Sequence, residues 1–373
     1  MDDLAAATLA IRTDSVTAGT NQKTATAWRR WTSYLSSIGI VNNNFLESFS
    51  VDQRLQIILA FAAAIRSARF SPGYTKLKEG SVHSAIDHVA QVFRANNRRD
   101  PRLDSSYTKS FLLSRLLRAY RNTDPDVQHQ KAIPVSLIRL ILSSASNPFE
   151  FFNAHLLIVA FFFAMRSCEY TKVSQNELHP EASRRTKLLC LRNFRFFRGS
   201  TLLDIFRDNL FSADSISITF EFQKNDVRQE TVTQEKSNDP SLCPVRSAAS
   251  LVMFIIRIPG ASLNMSINSF RKNDGNVILV SSSTMLTTIH QAATSMSKDV
   301  LGFSSSEIGC HSVRSACAMA LVLAGYPEFT IMLIGRWRSY SFLRYIRKQI
   351  QQFYSGISSC MIQHEHFFTI PRL

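Results

Sequence analysis

The chain has little of what usually holds a cofactor. Its 12 glycines among 373 residues form no Gly-rich phosphate loop. Its six cysteines (Cys168, Cys190, Cys243, Cys310, Cys317 and Cys360) contain no C-x-x-C pair. Without that spacing neither a zinc site nor a disulfide framework is indicated, and the thiols read as buried side chains. No carboxylate triad stands out, so no metal and no cofactor is expected. Long apolar runs are missing as well. The cleanest, Leu156 to Met165, has about half of the ~20 residues that span a bilayer and runs straight into Arg166. The opening MDDLAAATLA is acidic and lacks a basic stretch followed by a long apolar one, so it does not read as a signal peptide. A soluble, intracellular protein with no membrane partner is expected. At 45% hydrophobic residues, it also has ample material for a core.

Acidic residues are scarce, 28 against 43 lysines and arginines, and the net charge is +15. The surplus is +6 before residue 128 and +9 after it, so no single tail carries it. A surplus spread over the whole chain suits a protein that wraps a polyanion, because each neutralised phosphate releases counterions.

Apolar spacing predicts a helical first domain. Residues 1–20 are small and polar and read as a flexible N-terminus. Trp28, Trp31, Tyr34 and Leu35 then share one helical face, with Arg29 and Arg30 pointing elsewhere. Further helices are expected over Val51–Phe70, around Val82–Phe93, and over Phe111–Tyr120, where Arg115 and Arg118 take the polar side. Asn122–Gln130 reads as a linker, which places one domain at 21–128 and a second at 129–373. The second opens with helices over Ile133–Ser146 and Pro148–Ser174. Alternation at Leu189 and Leu191, Leu203 and Ile205, and Ile216 to Phe222 predicts short strands. Helices return over Pro244–Ile258, Ser282–Leu301, His311–Gly325 and Glu328–Gly335. The fold class expected is mainly α with a small β-sheet.

Five local constellations carry chemistry. Arg166 follows an apolar helix, and Glu169 lies three residues on, so a guanidinium aimed at a phosphate and fixed by a carboxylate is one reading. Lys224 sits in FEFQKNDVR, where alternation stops at a turn-forming Asn-Asp, a place from which an ammonium can donate a proton. Lys187 and Lys236 are alternatives for that role. His311 and Arg314 are again three apart at the start of an apolar helix, and their side chains are expected to converge on an anion. Gly335-Arg336-Trp337 leads to Tyr345, which is set among Arg344, Arg347 and Lys348. A phenol is a poor nucleophile unless cations stabilise its phenolate, and that basic cluster offers them.

The order Arg, Lys, His-x-x-Arg, Gly-Arg-Trp, Tyr is similar to that of the tyrosine recombinases, the phage-integrase family. The His-x-x-Arg stretch and the nine-residue step from Arg336 to Tyr345 carry the likeness. The phrases QKNDVR and LIGRWRSYSFLRYIR resemble recombinases of eukaryotic, Crypton-like mobile elements. The resemblance implies a core-binding (SAM-like) helical bundle followed by a catalytic domain. It also implies Arg166, Lys224, His311, Arg314 and Tyr345 as catalytic residues, Arg336 or Trp337 as a further phosphate contact, and Glu169 behind Arg166. The reaction implied is DNA cleavage through a 3′-phosphotyrosyl intermediate, followed by rejoining in site-specific recombination. The partner is double-stranded DNA, with Arg29, Arg30, Arg98, Arg99, Arg115, Arg118, Arg344 and Arg347 on its backbone. A homotetramer on two DNA sites, held through the segment Gln349–Leu373, is implied likewise, as is a nuclear location in a eukaryotic host and a cytoplasmic or nucleoid one otherwise. A type IB topoisomerase-like relaxation and a catalytically silent, domesticated DNA-binding protein are the alternatives.

Overall fold

The computed structural model describes residues 18–126, 130–171, 188–222 and 228–346, apart from the side chains at 18, 344 and 345. The chain divides into two compact units, Met1–Val127 and Gln128–Leu373.

The first unit is helical: α1 (Ala18–Ser37), α2 (Val51–Arg66), α3 (Glu79–Ala95) and α4 (Phe111–Asn122). Ser50 starts α2 with a reciprocal cap, its Oγ accepting from Gln53 N at 3.2 Å while Gln53 Oε1 accepts from Ser50 N at 2.9 Å. The aromatic face anticipated on α1 is the centre of the bundle. Trp31 is fully buried against Phe61, its ring 5.1 Å away edge-on, and its indole N–H donates to Asn44 O at 2.9 Å. Each such burial contributes roughly 1.5–3 kcal/mol.

The second unit opens with α5 (Val135–Ser143) and α6 (Pro148–Phe162). Asn147 caps α6 by accepting from Glu150 N, and Pro148 occupies its first turn, where no N–H is needed. From Leu156 to Ala160 the helix is buried on every side, against α7 (Pro244–Ile256) and α9 (Ser312–Leu323). Between these lie β1 (Phe194–Arg198), β2 (Thr201–Leu203), β3 (Ser215–Phe222) and β4 (Arg228–Glu235), an antiparallel sheet in the order β2-β1-β3-β4. Ile216, Ile218, Phe220 and Phe222 alternate inward on β3, as their spacing foretold. A small hairpin, β5 (Ser269–Arg271) with β6 (Val277–Leu279), precedes α8 (Ser282–Met296), and α10 (Glu328–Gly335) closes the described helices. The fold class is therefore mainly α with small antiparallel sheets.

Two expectations need correction. The helix predicted over Pro148–Ser174 stops at Phe162. Met165 N bonds Ala160 O at 2.9 Å and Ala164 N bonds Phe161 O at 3.1 Å, a helix-ending motif that turns on Ala164 at φ +44°. Arg166 and Glu169 thus belong to a separate single turn, Ser167–Tyr170, which Arg166 caps. Leu189 and Leu191 are buried but not in a strand: Leu191 starts a 3₁₀ turn, Leu191–Asn193, and the nearby ladder is Phe194–Arg198. No helix among the described residues is long and apolar enough to cross a membrane.

Candidate active site

The ends of α6 and α10 are built alike. At the end of α10, Trp337 N bonds Met332 O at 2.9 Å and Arg336 N bonds Leu333 O at 3.1 Å, with Arg336 left-handed at φ +55° and ψ +45°. Non-glycine residues adopt this conformation at a cost of order 1–2 kcal/mol, so both helix ends need outside support. The support is cationic, which suits the negative ends of helices. Arg336 Nη1 donates to Phe163 O at 2.8 Å and Nη2 to Ala164 O at 3.4 Å, so the left-handed residue of one helix end holds the carbonyls of the other.

Glu169 completes the centre. Its side chain is 1% exposed, yet three donors meet it: Arg166 N and Arg166 Nη1, each at 2.8 Å, and Arg336 Nη2 at 2.7 Å. A carboxylate that deep is tolerable only when paired and fully hydrogen-bonded. Phe220 of β3 lies under the Arg336 guanidinium, 3.4 Å from carbon Cζ to ring centre. Burial pulls the pKa of Arg336 below the ordinary arginine value, while Glu169 pulls it back up.

Arg314 joins from α9. It is buried, donating Nη1 to Ala164 O and Nη2 to Gly335 O, and its guanidinium stacks 4.6 Å from the Trp337 ring. The carbonyl of Ala164 therefore receives two guanidinium groups. Cys317, one turn further along α9, is buried beside both, and burial pushes its thiol up to about 12, against the opposing pull of Arg314 and Arg336. It stays a neutral thiol.

The structure thus brings Arg166, Glu169, Arg314, Arg336 and Trp337 together from segments as much as 171 residues apart. His311 is exposed, whereas Arg314 is turned into the core. His311 is the N-cap residue of α9, its backbone already helical at φ −76° and ψ −18°. Arg336 has no exposed side-chain surface and Trp337 is 8% exposed; Nη1 and Nη2 of Arg336 donate to Glu169 and to the Phe163 and Ala164 carbonyls. Sequence reading missed the acceptors at Phe163, Ala164 and Gly335, and the ring of Phe220. Backbone carbonyls leave no signature in a sequence.

Tyr345 ends a 3₁₀ turn, Tyr340–Tyr345, that packs on α9. The side chains of Tyr345 and Arg344 lie outside the described residues, as do Lys224, Lys187, Arg347 and the segment Gln349–Leu373. Lys236 is exposed just beyond β4. Tyr170, next to Glu169, is fully buried, and desolvation drives its phenol far above the ordinary range, so it cannot act as a phenolate. Among the described residues no three His, Cys, Asp or Glu side chains are grouped to hold a metal ion.

Of the DNA-binding candidates in the first unit, Arg29, Arg115 and Arg118 are exposed and Arg30 is half-buried. Arg98 is paired with Glu47 at 2.8 Å. Arg99 donates to Asp104 O at 2.5 Å and lies 4.3 Å from the Tyr107 ring centre.

No protein-family model and no curated protein matches the sequence. Among solved structures, the chain is similar to the Tn1549 transposon integrase in complex with transposon right end DNA, at 10% identity and a TM-score of 0.46, over 90% of this chain and 99% of that one. It is also similar to the XerH site-specific recombinase bound to its difH substrate (11% identity, TM-score 0.40, 92% and 97% covered). A third likeness is to a lambda integrase dimer bound to a core site (13% identity, TM-score 0.40, 90% and 80% covered).

Proposed function

We propose that the second unit cleaves and rejoins DNA through a covalent phosphotyrosyl link, as a tyrosine recombinase of a mobile element. The observation that carries this reading is the meeting of Arg166, Arg314 and Arg336 around one buried carboxylate and one carbonyl. A structural ion pair needs one arginine; three, from three segments, are a concentration of positive charge matched to a phosphodiester.

In this scheme Arg166 and Arg314 hold the non-bridging oxygens of the scissile phosphate, with Arg314 exchanging a carbonyl acceptor for a phosphate oxygen when DNA arrives. The Tyr345 hydroxyl attacks phosphorus, forming a bond from its oxygen to the 3′ phosphate, and its proton passes to His311. The bond to the 5′ oxygen breaks, and Lys224 protonates that oxygen. A 5′-hydroxyl from another duplex reverses both steps, releasing Tyr345 and joining new strands. The ester conserves the bond's energy, so the scheme calls for neither ATP nor a metal. Strand register favours Lys224 over Lys236. Phe220, under Arg336, pairs with Glu230 two residues short of the β3–β4 connection in which Lys224 lies. Lys236 is six residues along from Glu230, about 20 Å at strand rise.

The test is a nicked suicide duplex library incubated with the full chain in EDTA and resolved under denaturing conditions. A protein–DNA adduct is expected from the wild type and from Tyr340→Phe, and none from Tyr345→Phe. An adduct that survives Tyr345→Phe overturns the assignment. A mobility shift without any adduct overturns catalysis in favour of binding alone, and plasmid relaxation without exchanged products makes the outcome that of a topoisomerase.

A further inference from the structure

We infer that Arg336 is a positioning residue: a buried tie that sets Arg166 by holding the far side of Glu169, and so couples the seating of the segment that bears Tyr345 to the readiness of the phosphate site. Its consequence for rate rests on the function proposed above; the tie itself does not.

Glu169 divides its two oxygens. Oε1 accepts from Arg166 Nη1, while Oε2 accepts from Arg166 N and Arg336 Nη2. Arg166 thus grips both oxygens from one side and Arg336 braces Oε2 from the other, and Arg166, 15% exposed, is aimed by the carboxylate so braced. The other Nη of Arg336 reaches Phe163 O at 2.8 Å, three residues before Arg166, which anchors the chain entering the site. The planar fork of a guanidinium spans a carboxylate and a carbonyl together; a single ammonium does not. Arg336 is also the left-handed residue that ends α10, nine residues before Tyr345. With that end in place, Phe220, Phe163 O and Glu169 all contact the guanidinium. One side chain thus reports the docking of α10 to the phosphate arginine.

Two measurements on the full chain test this. The first is single-turnover adduct formation beside duplex affinity by anisotropy. Arg336→Met is expected to slow adduct formation by about a hundredfold, as sub-ångström misplacement of a catalytic group does, with duplex Kd within about twofold of wild type. Arg336→Lys is expected to recover about tenfold of that loss. In a Glu169→Gln background, Arg336→Met should add less than about twofold, because both act through the same carboxylate. The second measurement is the ¹⁵N spectrum of arginine side chains, with the Arg166 signal identified by its loss in Arg166→Lys. It should be resolved in wild type and averaged toward a mobile guanidinium in Arg336→Met, without DNA or turnover. Equal losses of affinity and rate, strictly additive effects with Glu169→Gln, or an unchanged Arg166 signal each overturn the tie. Should the wild type form no adduct, the proposed function falls, and the Arg166 signal still decides the tie. Should Arg336→Met not fold, Arg336→Lys carries the same comparison, since it retains the charge and loses the fork.

Discussion

A Cβ placed on Gly335 would lie 1.7 Å from Cζ3 of Trp337, and that ring is the one stacked 4.6 Å from the Arg314 guanidinium. The ring also leans on Phe342, 5.9 Å between centres, and is nearly buried, so it has little room to give. Gly335→Ala is expected to lower stability by about 1–3 kcal/mol, the range for overpacking a filled interior. Trp337 is one of three tryptophans, Trp28 and Trp31 being in the first unit, so the loss is read from a urea titration followed by far-UV circular dichroism. A midpoint equal to that of the wild type would show that the ring moves freely and that Arg314 does not depend on it. At this scale the sequence was partly legible. Glu169 as the partner of Arg166 could be inferred because the two are neighbours along the chain. The burial of Arg336 could not: its acceptors are 167 to 173 residues away, and an arginine between glycine and tryptophan carries no mark of depth.

At the scale of elements, the helices of the first unit are tied where three of them end. Arg66, the last residue of α2, is 6% exposed and donates to Leu77 O at 2.6 Å, Tyr120 O at 3.2 Å and Thr123 Oγ1 at 3.1 Å. It also pairs with Asp124 Oδ1 at 2.5 Å, while Asp124 Oδ2 accepts from Glu79 N at 2.6 Å, the first residue of α3. The guanidinium lies 4.8 Å from the Tyr120 ring centre on α4. Arg66→Leu removes every contact the guanidinium makes, leaving Asp124 with the Glu79 N–H but without its cation and Leu77 O without this donor. It is expected to cost about 3–5 kcal/mol, as breaking a buried pair does, and to lower the thermal midpoint seen by far-UV circular dichroism. A loss below about 1 kcal/mol would show that water replaces the arginine at no cost. Helices were legible where apolar spacing is regular, as on α1 to α4. Their ends were less so, because the stop at Ala164 needs a left-handed alanine supported by Arg314 and Arg336. Leu189 and Leu191 misled for a similar reason. Their backbone partners are Ile267, Met265 and Glu169, too distant in sequence for local alternation to register.

At the scale of the molecule, charge decides which cations are available to a polyanion. Each unit has a basic surplus, yet many of its arginines already serve the fold: Arg66 and Arg102 inside the first unit, Arg314 and Arg336 inside the second. On α4, Arg115 and Arg118 are exposed and in no ion pair among the described residues, one helical turn apart on the polar face. Arg98, by contrast, neutralises Glu47. A duplex bound by the first unit would therefore release counterions at Arg115 and Arg118 and not at Arg98. Each phosphate contact contributes a slope of about −0.9 to log K against log salt. Replacing Arg115 and Arg118 together by alanine is expected to flatten that slope by about 2 on a random-sequence duplex, measured by anisotropy between about 50 and 200 mM salt. Arg98→Ala should leave the slope within error of wild type, since Glu47 has already taken its charge. A double variant with the wild-type slope would move the DNA surface off α4, and the surplus on this helix would then serve solubility alone.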